Sequence, residues 1–91
     1  PEIPSYFGLN NIYPNPFNPT TTIDFSVPSD MEFSLTIFDL QGRLVETIIN
    51  QEYSVGNYSI KYNASDLSSG IYFIQLKTSE FIDYSKVILL K

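Results

Sequence analysis

From Thr20 onward, apolar and polar residues alternate with the period of two that marks a half-buried strand. In TTTIDFSV, residues 20–27, the side chains of Ile23, Phe25 and Val27 fall on one face and those of Thr22, Asp24 and Ser26 on the other. Pro28-Ser29-Asp30 interrupts the pattern, which resumes in EFSLTIFDL, residues 32–40, with Phe33, Leu35 and Ile37 inward. Gln41-Gly42 reads as a tight turn, because glycine tolerates the positive φ that such turns require. RLVETIIN, residues 43–50, is expected to form a short strand close to an edge, followed by a loop from Gln51 to Gly56. NYSIKYN, residues 57–63, alternates again through Tyr58, Ile60 and Tyr62. ASDLSSG has room for one helical turn at most, with Ser65 or Asp66 as its N-cap, and reads as a loop. GIYFIQLKT, residues 70–78, is the most apolar strand and is expected at the centre of a sheet, with Tyr72, Ile74 and Leu76 facing the core. SEFIDYSKVILLK supplies the last strand, and Tyr6 to Ile12 adds one more at the front.

Six or seven short strands, with turn signals roughly every 8–12 residues, predict an all-β fold, an antiparallel β-sandwich. Its two sheets would bury their Ile, Phe, Leu and Val rows against each other across about 10 Å. No helical crossover separates the strands, so a parallel α/β arrangement is excluded. YPNPFNP, residues 13–19, precedes the alternation. Pro14, Pro16 and Pro19 fix φ and lack the N–H that a ladder needs. They also push Tyr13, Asn15 and Asn18 towards extended conformations. The segment is therefore a stiff lead-in that starts or edges a folded unit, and prolines at an edge discourage unwanted strand addition.

Composition narrows the function. The chain has 91 residues, enough for one domain, and its seven Phe and seven Tyr supply too much burial for a solvated tail. Ten acids against five bases give a net charge of −5, with Arg43, Lys61, Lys77, Lys86 and Lys91 scattered; this is no nucleic-acid footprint. There is no cysteine, hence no disulfide framework and no thiolate chemistry. No apolar run approaches the roughly 18 residues of a membrane span. PEIPSYFG lacks the basic and apolar regions of a signal peptide, and the abrupt proline start suggests a piece of a longer chain.

Candidate chemistry is sparse. Without histidine, the commonest general base and transition-metal ligand is missing. Asp30 and Glu32 could share acid and base roles, but carboxylates at a strand start more often solvate a turn. No acid cluster has the spacing of a calcium loop and no glycine-rich run could cradle a phosphate. No enzyme, metal or cofactor is expected. Tyr53, Tyr58, Tyr62, Tyr72 and Tyr84 could line a platform for a sugar ring, yet tyrosine is also an ordinary strand residue with a wet hydroxyl end. Asn57-Tyr58-Ser59 and Asn63-Ala64-Ser65 fit the glycosylation sequon, a pattern that arises readily by chance in a chain rich in Asn and Ser.

Four segments occur in order: YPNPFNPTTTI, IFDLQGRLV, LSSGIYFIQL and KVILLK. Together they resemble the type A C-terminal sorting domains of type IX secretion, which close extracellular proteins of Bacteroidota and related bacteria. The resemblance spans residues 9–91 as a single domain and leaves residues 1–8 as linker or first-strand lead-in. It implies an immunoglobulin-like sandwich of about seven strands. It also implies an address in place of a reaction: the domain would be the C-terminal part of a larger secreted or cell-surface cargo. That cargo crosses the periplasm, is recognised by the outer-membrane type IX translocon, and is commonly cut by a cell-surface sortase that supplies the nucleophile. The family pattern falls on Gly70 and Tyr72, on a turn signature at Asp39, Gly42 and Arg43, and on a terminal strand of Lys86, Val87, Ile88, Leu89, Leu90 and Lys91. Turn geometry alone also accounts for Gly42 and Gly70, an ion pair for Asp39 and Arg43, and core packing for Tyr72. Alternative readings are an assembly domain like those of flagellar hook-cap scaffolds, a carbohydrate-binding module, and a spacer.

Overall fold

The alternating segments become strands because only a pleated chain puts every second side chain on one face, and here that face is apolar. The computed structural model describes residues 8–80 and 82–91. Seven strands run in chain order: β1 (Gly8–Tyr13), β2 (Thr20–Val27), β3 (Met31–Asp39), β4 (Leu44–Tyr53), β5 (Gly56–Asn63), β6 (Gly70–Lys77) and β7 (Ile82–Leu89). They form two antiparallel sheets, one of order β1-β2-β5 and one of order β4-β3-β6-β7. The fold is the expected immunoglobulin-like sandwich. Tyr6 and Phe7, from the predicted front strand, lie outside the described residues, as does Phe81 of the last one.

The inward rows are those that the alternation predicts. Ile23, Phe25 and Val27 of β2 face Phe33, Leu35 and Ile37 of β3 and Ile74 and Leu76 of β6, all at 0% exposure. Val87 and Leu89 complete the row on β7. Phe25 stacks on Tyr58 and meets Phe33 with ring centroids 5.6 Å apart in each pair, so aromatic packing fills the end near the β4–β5 turn. β6 is an inner strand, as its composition suggests.

β4 differs from expectation. It lies at an edge, as predicted, but it is the longest strand, ten residues reaching Tyr53, where a short strand and a loop from Gln51 were expected. Tyr53 explains the extension. Its ring packs 5.2 Å from Phe25, 6.2 Å from Phe33 and 4.7 Å from Tyr58, drawing the polar Gln51-Glu52 pair into the ladder opposite Phe33 and Glu32. Only Ser54 and Val55 remain as the turn. Two register shifts along β4 leave it irregular as an edge, which discourages pairing with another chain. In the constant immunoglobulin arrangement the fourth strand joins the sheet of the first, second and fifth. Here the tight β3–β4 hairpin keeps it beside β3.

The two open sides of the sandwich are closed differently. On the side of the edge strands β4 and β5, the Tyr62 hydroxyl donates to Glu46 Oε1 at 2.7 Å and links the sheets. Burial, and then the bond to Glu46, hold this phenol well above its usual range. On the other side the proline segment crosses from one sheet to the other. It leaves β1 at Tyr13, with cis bonds before Pro14, Pro16 and Pro19, and inserts Phe17 into the core at 2% exposure. Phe17 then forms a parallel bridge with Leu89 of β7 before the chain returns to β2. Truncation of a buried phenylalanine removes burial and leaves a cavity, so Phe17→Ala is expected to lower the unfolding free energy by about 3–5 kcal/mol. Tyr13→Ala, at a 46% exposed position, is expected to stay within about 0.5 kcal/mol; urea denaturation of both checks the contrast.

Candidate functional site

Three of the predicted signatures meet in one place. β3 pairs with β6 so that Asp39 stands opposite Tyr72, and β6 pairs with β7 so that Tyr72 stands opposite Val87. The turn signature, the glycine-x-tyrosine and the terminal strand thus share one cross-strand row at one end of the four-stranded sheet. The neighbouring row is Phe38, Phe73 and Lys86.

The turn is built around the Asp39 carboxylate. Its Oδ1 accepts from the backbone N–H of Gln41 at 3.0 Å and of Arg43 at 2.9 Å, while Oδ2 accepts from Arg43 Nε at 2.9 Å. Gly42, at φ 85°, donates its N–H to the Asp39 carbonyl at 3.0 Å, and few other residues adopt that backbone angle. The backbone bond from Arg43 is the main cause that holds the Asp39 carboxyl below its ordinary value; the guanidinium beside it acts in the same direction.

Gly70 and Tyr72 form a corner. The Tyr72 hydroxyl donates to the Ser68 carbonyl at 2.6 Å, four residues upstream, which is the geometry of the tyrosine corner of immunoglobulin sandwiches. The ring passes beside Gly70, whose φ of 159° is one that residues with side chains rarely adopt. The same device occurs at Gly56 and Tyr58, where the hydroxyl donates to the Ser54 carbonyl at 2.7 Å. The repeated glycine-x-tyrosine is visible in the sequence, yet only its second copy falls on the family pattern.

Within the terminal segment, Val87 and Leu89 are fully buried, whereas Lys86 and Leu90 are exposed and Ile88 is half-buried. Lys91 lies beyond β7 and is tied to the β5–β6 loop: its N–H donates to Ser69 Oγ at 2.9 Å and its ammonium to the Ser65 carbonyl. Sequence reading did not anticipate the role of Asn15 and Phe17. Asn15 Nδ2 donates to the Lys86 carbonyl, and the Ile88 N–H donates to Asn15 Oδ1, each at 3.0 Å.

Next to this row, Phe38, Phe73 and Tyr84 line a shallow depression of about 500 Å³ on the outer face of the sheet, which the turn residues Asp39 and Gly42 also border. Gln75 crosses it, accepting from Thr36 Oγ1 at 3.2 Å and donating to the Tyr84 hydroxyl at 2.9 Å. The carboxylates considered for acid–base work are separated in role: Asp30 Oδ1 accepts from the Val55 N–H at 3.0 Å and ties two turns together, while Glu32 is exposed opposite Glu52. The five tyrosines do not share one exposed surface, since Tyr62 and Tyr72 are buried, Tyr53 and Tyr58 pack on Phe25, and Tyr84 stands on the outer face of the four-stranded sheet. Among the described residues no group of acids is placed to hold a metal ion, and no helix is long and apolar enough to cross a membrane.

Seven strands in two packed antiparallel sheets, with the signature residues gathered at one end around the last strand, define a small β-sandwich domain. Residues 11–91 match the family described as secretion system C-terminal sorting domain. The chain belongs to this family, the C-terminal sorting domains of type IX secretion. A comparison with curated proteins and one with solved structures returned no match. Membership links the domain to a larger cargo, to the type IX system, and to a secreted or cell-surface protein. The family is one of sorting signals and not of enzymes.

Two outcomes test the geometry of this end. Tyr72→Phe deletes the corner hydrogen bond and is expected to cost about 1 kcal/mol of stability in denaturant titration, with the fold retained. Asp39 should titrate below its ordinary value near 3.8. Because the folded-state value is the lower one, the stabilisation from this turn is complete above about pH 4 and is lost as pH falls through the depressed value. Carboxyl NMR of Asp39, followed with the Arg43 amide, reads both.

Proposed function

We propose that the outer-membrane type IX translocon recognises this domain through the terminal strand Lys86–Lys91, flanked by Gly70 and Tyr72 and by the turn of Asp39, Gly42 and Arg43. The cargo lies N-terminal to the domain, reaches the periplasm first, and is released or anchored when a surface sortase cuts ahead of the domain. The observation that carries the reading is the family match over residues 11–91. The meeting of the three signatures in one cross-strand row supports it. In this reading the domain is ligand and substrate, and any nucleophile belongs to the sortase. Asp39, Gly42, Gly70 and Tyr72 act by shaping the end of the sheet, and the exposed Lys86 and Leu90 are the side chains a partner can touch.

Deletion of residues 86–91 would be a poor test, because it takes Val87 and Leu89 out of the core and unfolding would mimic loss of recognition. A cleaner experiment fuses the domain behind a signal peptide and a fluorescent reporter in a bacterium with a type IX system. The expected outcome is export of the native fusion and retention of a Lys86→Glu/Leu90→Ser variant in the periplasm, with extracellular reporter reduced about tenfold or more. A variant that melts like the native domain and is exported equally well would show that the terminal strand is not what is read. Retention of the native fusion itself would turn the reading towards an assembly or spacer domain.

A further inference from the structure

The outer edge of β7 should present a row of unpaired backbone groups, the usual template for another chain. In this domain four of those groups are already taken. The Lys86 carbonyl accepts from Asn15 Nδ2 and the Ile88 N–H donates to Asn15 Oδ1, each at 3.0 Å. The Ile88 carbonyl accepts from the Phe17 N–H and the Leu90 N–H donates to the Phe17 carbonyl, each at 2.9 Å. Residues 86, 88 and 90 alternate along β7 and the residue that follows it, so the four bonds occupy successive places along one edge. A carboxamide carries a donor and an acceptor, as a peptide unit does. The Asn15 side chain therefore stands in for one peptide of a neighbouring strand, and Phe17 supplies the next from its own backbone. The prolines on either side cannot donate to a ladder, so this imitation strand cannot grow.

The strap is also fixed from behind. The Phe17 ring is buried in the core, Thr21 Oγ1 donates to the Pro14 carbonyl at 2.9 Å, and the Ala64 N–H donates to the Pro19 carbonyl at 2.9 Å. Further along β7, the Leu9 N–H donates to Asp83 Oδ2 at 2.9 Å, which holds β1 against the same edge.

We infer that Asn15 and Phe17 are a built-in edge lock that closes β7 to strand addition, above all by a second copy of this domain. The inference deepens the proposed function and, for its biological meaning, rests on it. The segment assigned to recognition is the one whose backbone is sealed, so a partner meets it through outward side chains and not by extending the sheet. The other edge of this sheet, β4, is protected by its register shifts. β7 lacks such shifts in its pairing with β6, which is why it needs a strap.

The test uses the whole 91-residue chain and needs no secretion machinery, so its failure is separate from failure of the sorting reading. Asn15→Ala removes the carboxamide and leaves the Phe17 anchor in place. Amide hydrogen exchange is followed at Ile88, Leu90 and the core residue Ile74, and sedimentation velocity is run over a concentration series. The expected result is exchange about tenfold faster at Ile88 in dilute solution, unchanged protection at Ile74, and self-association at concentrations about tenfold lower than for the native chain. Ile88 should regain protection in the associated form. Asn15→Asp, which keeps the acceptor for the Ile88 N–H, should hold that amide protected. Unchanged exchange at Ile88 in Asn15→Ala would overturn the inference. So would a freed Ile88 with no change in association, and so would loss of protection at Ile74, which would make Asn15 a residue of the fold and not of its edge.

Discussion

A sandwich of two sheets is held by its buried rows but limited by its sides, where strand edges and the gap between sheets face water. In this domain the controlling contact on one side is Phe17. Its ring is 2% exposed between the sheets, and its peptide bonds to both the Ile88 carbonyl and the Leu90 N–H. One residue thus fills the core, spans the gap and closes the edge of the last strand. The prolines around it make this possible. A flexible segment would lose backbone entropy on being held there, whereas Pro14, Pro16 and Pro19 are restricted before folding begins.

The position of the signature residues follows from pairing. Asp39, Tyr72 and Val87 are far apart along the chain, and they come into one row because β3 and β6 are the inner strands of the larger sheet. Each is justified locally as well: Asp39 by the amides it accepts, Tyr72 by the Ser68 carbonyl, Val87 by the core. A structural role and the proposed role in recognition therefore do not compete at this end of the molecule. The buried members define the surface, and the exposed Lys86 and Leu90 occupy it. Under the proposed reading this arrangement would couple recognition to folding, because the outward row of β7 exists only when its inward row is packed.

Much of this was legible in advance. The inward rows of β2, β3 and β6 follow from simple alternation, since a strand with one buried face permits no other register. The turn at Gly42 and the ion pair of Asp39 with Arg43 could be expected from residue type and spacing. The length of β4 could not, because Gln51 and Glu52 are polar and only the contact of Tyr53 with Phe25, Phe33 and Tyr58 draws them into the sheet. The role of glycine-x-tyrosine at Gly56 and Tyr58 is hidden for a similar reason: it lies in a hydroxyl reaching the Ser54 carbonyl, which no periodicity encodes.

The sequence by itself therefore determined the class of fold, the faces of the strands, the turn chemistry and the likeness to a sorting family, because all of these are local or periodic properties. Tertiary structure alone decided which strands are neighbours, that the signatures share one end, and that Asn15 and Phe17 seal the strand about seventy residues away. Such pairings depend on which burial of side chains and which completion of backbone bonds the whole chain can satisfy at once, and no single segment carries that information.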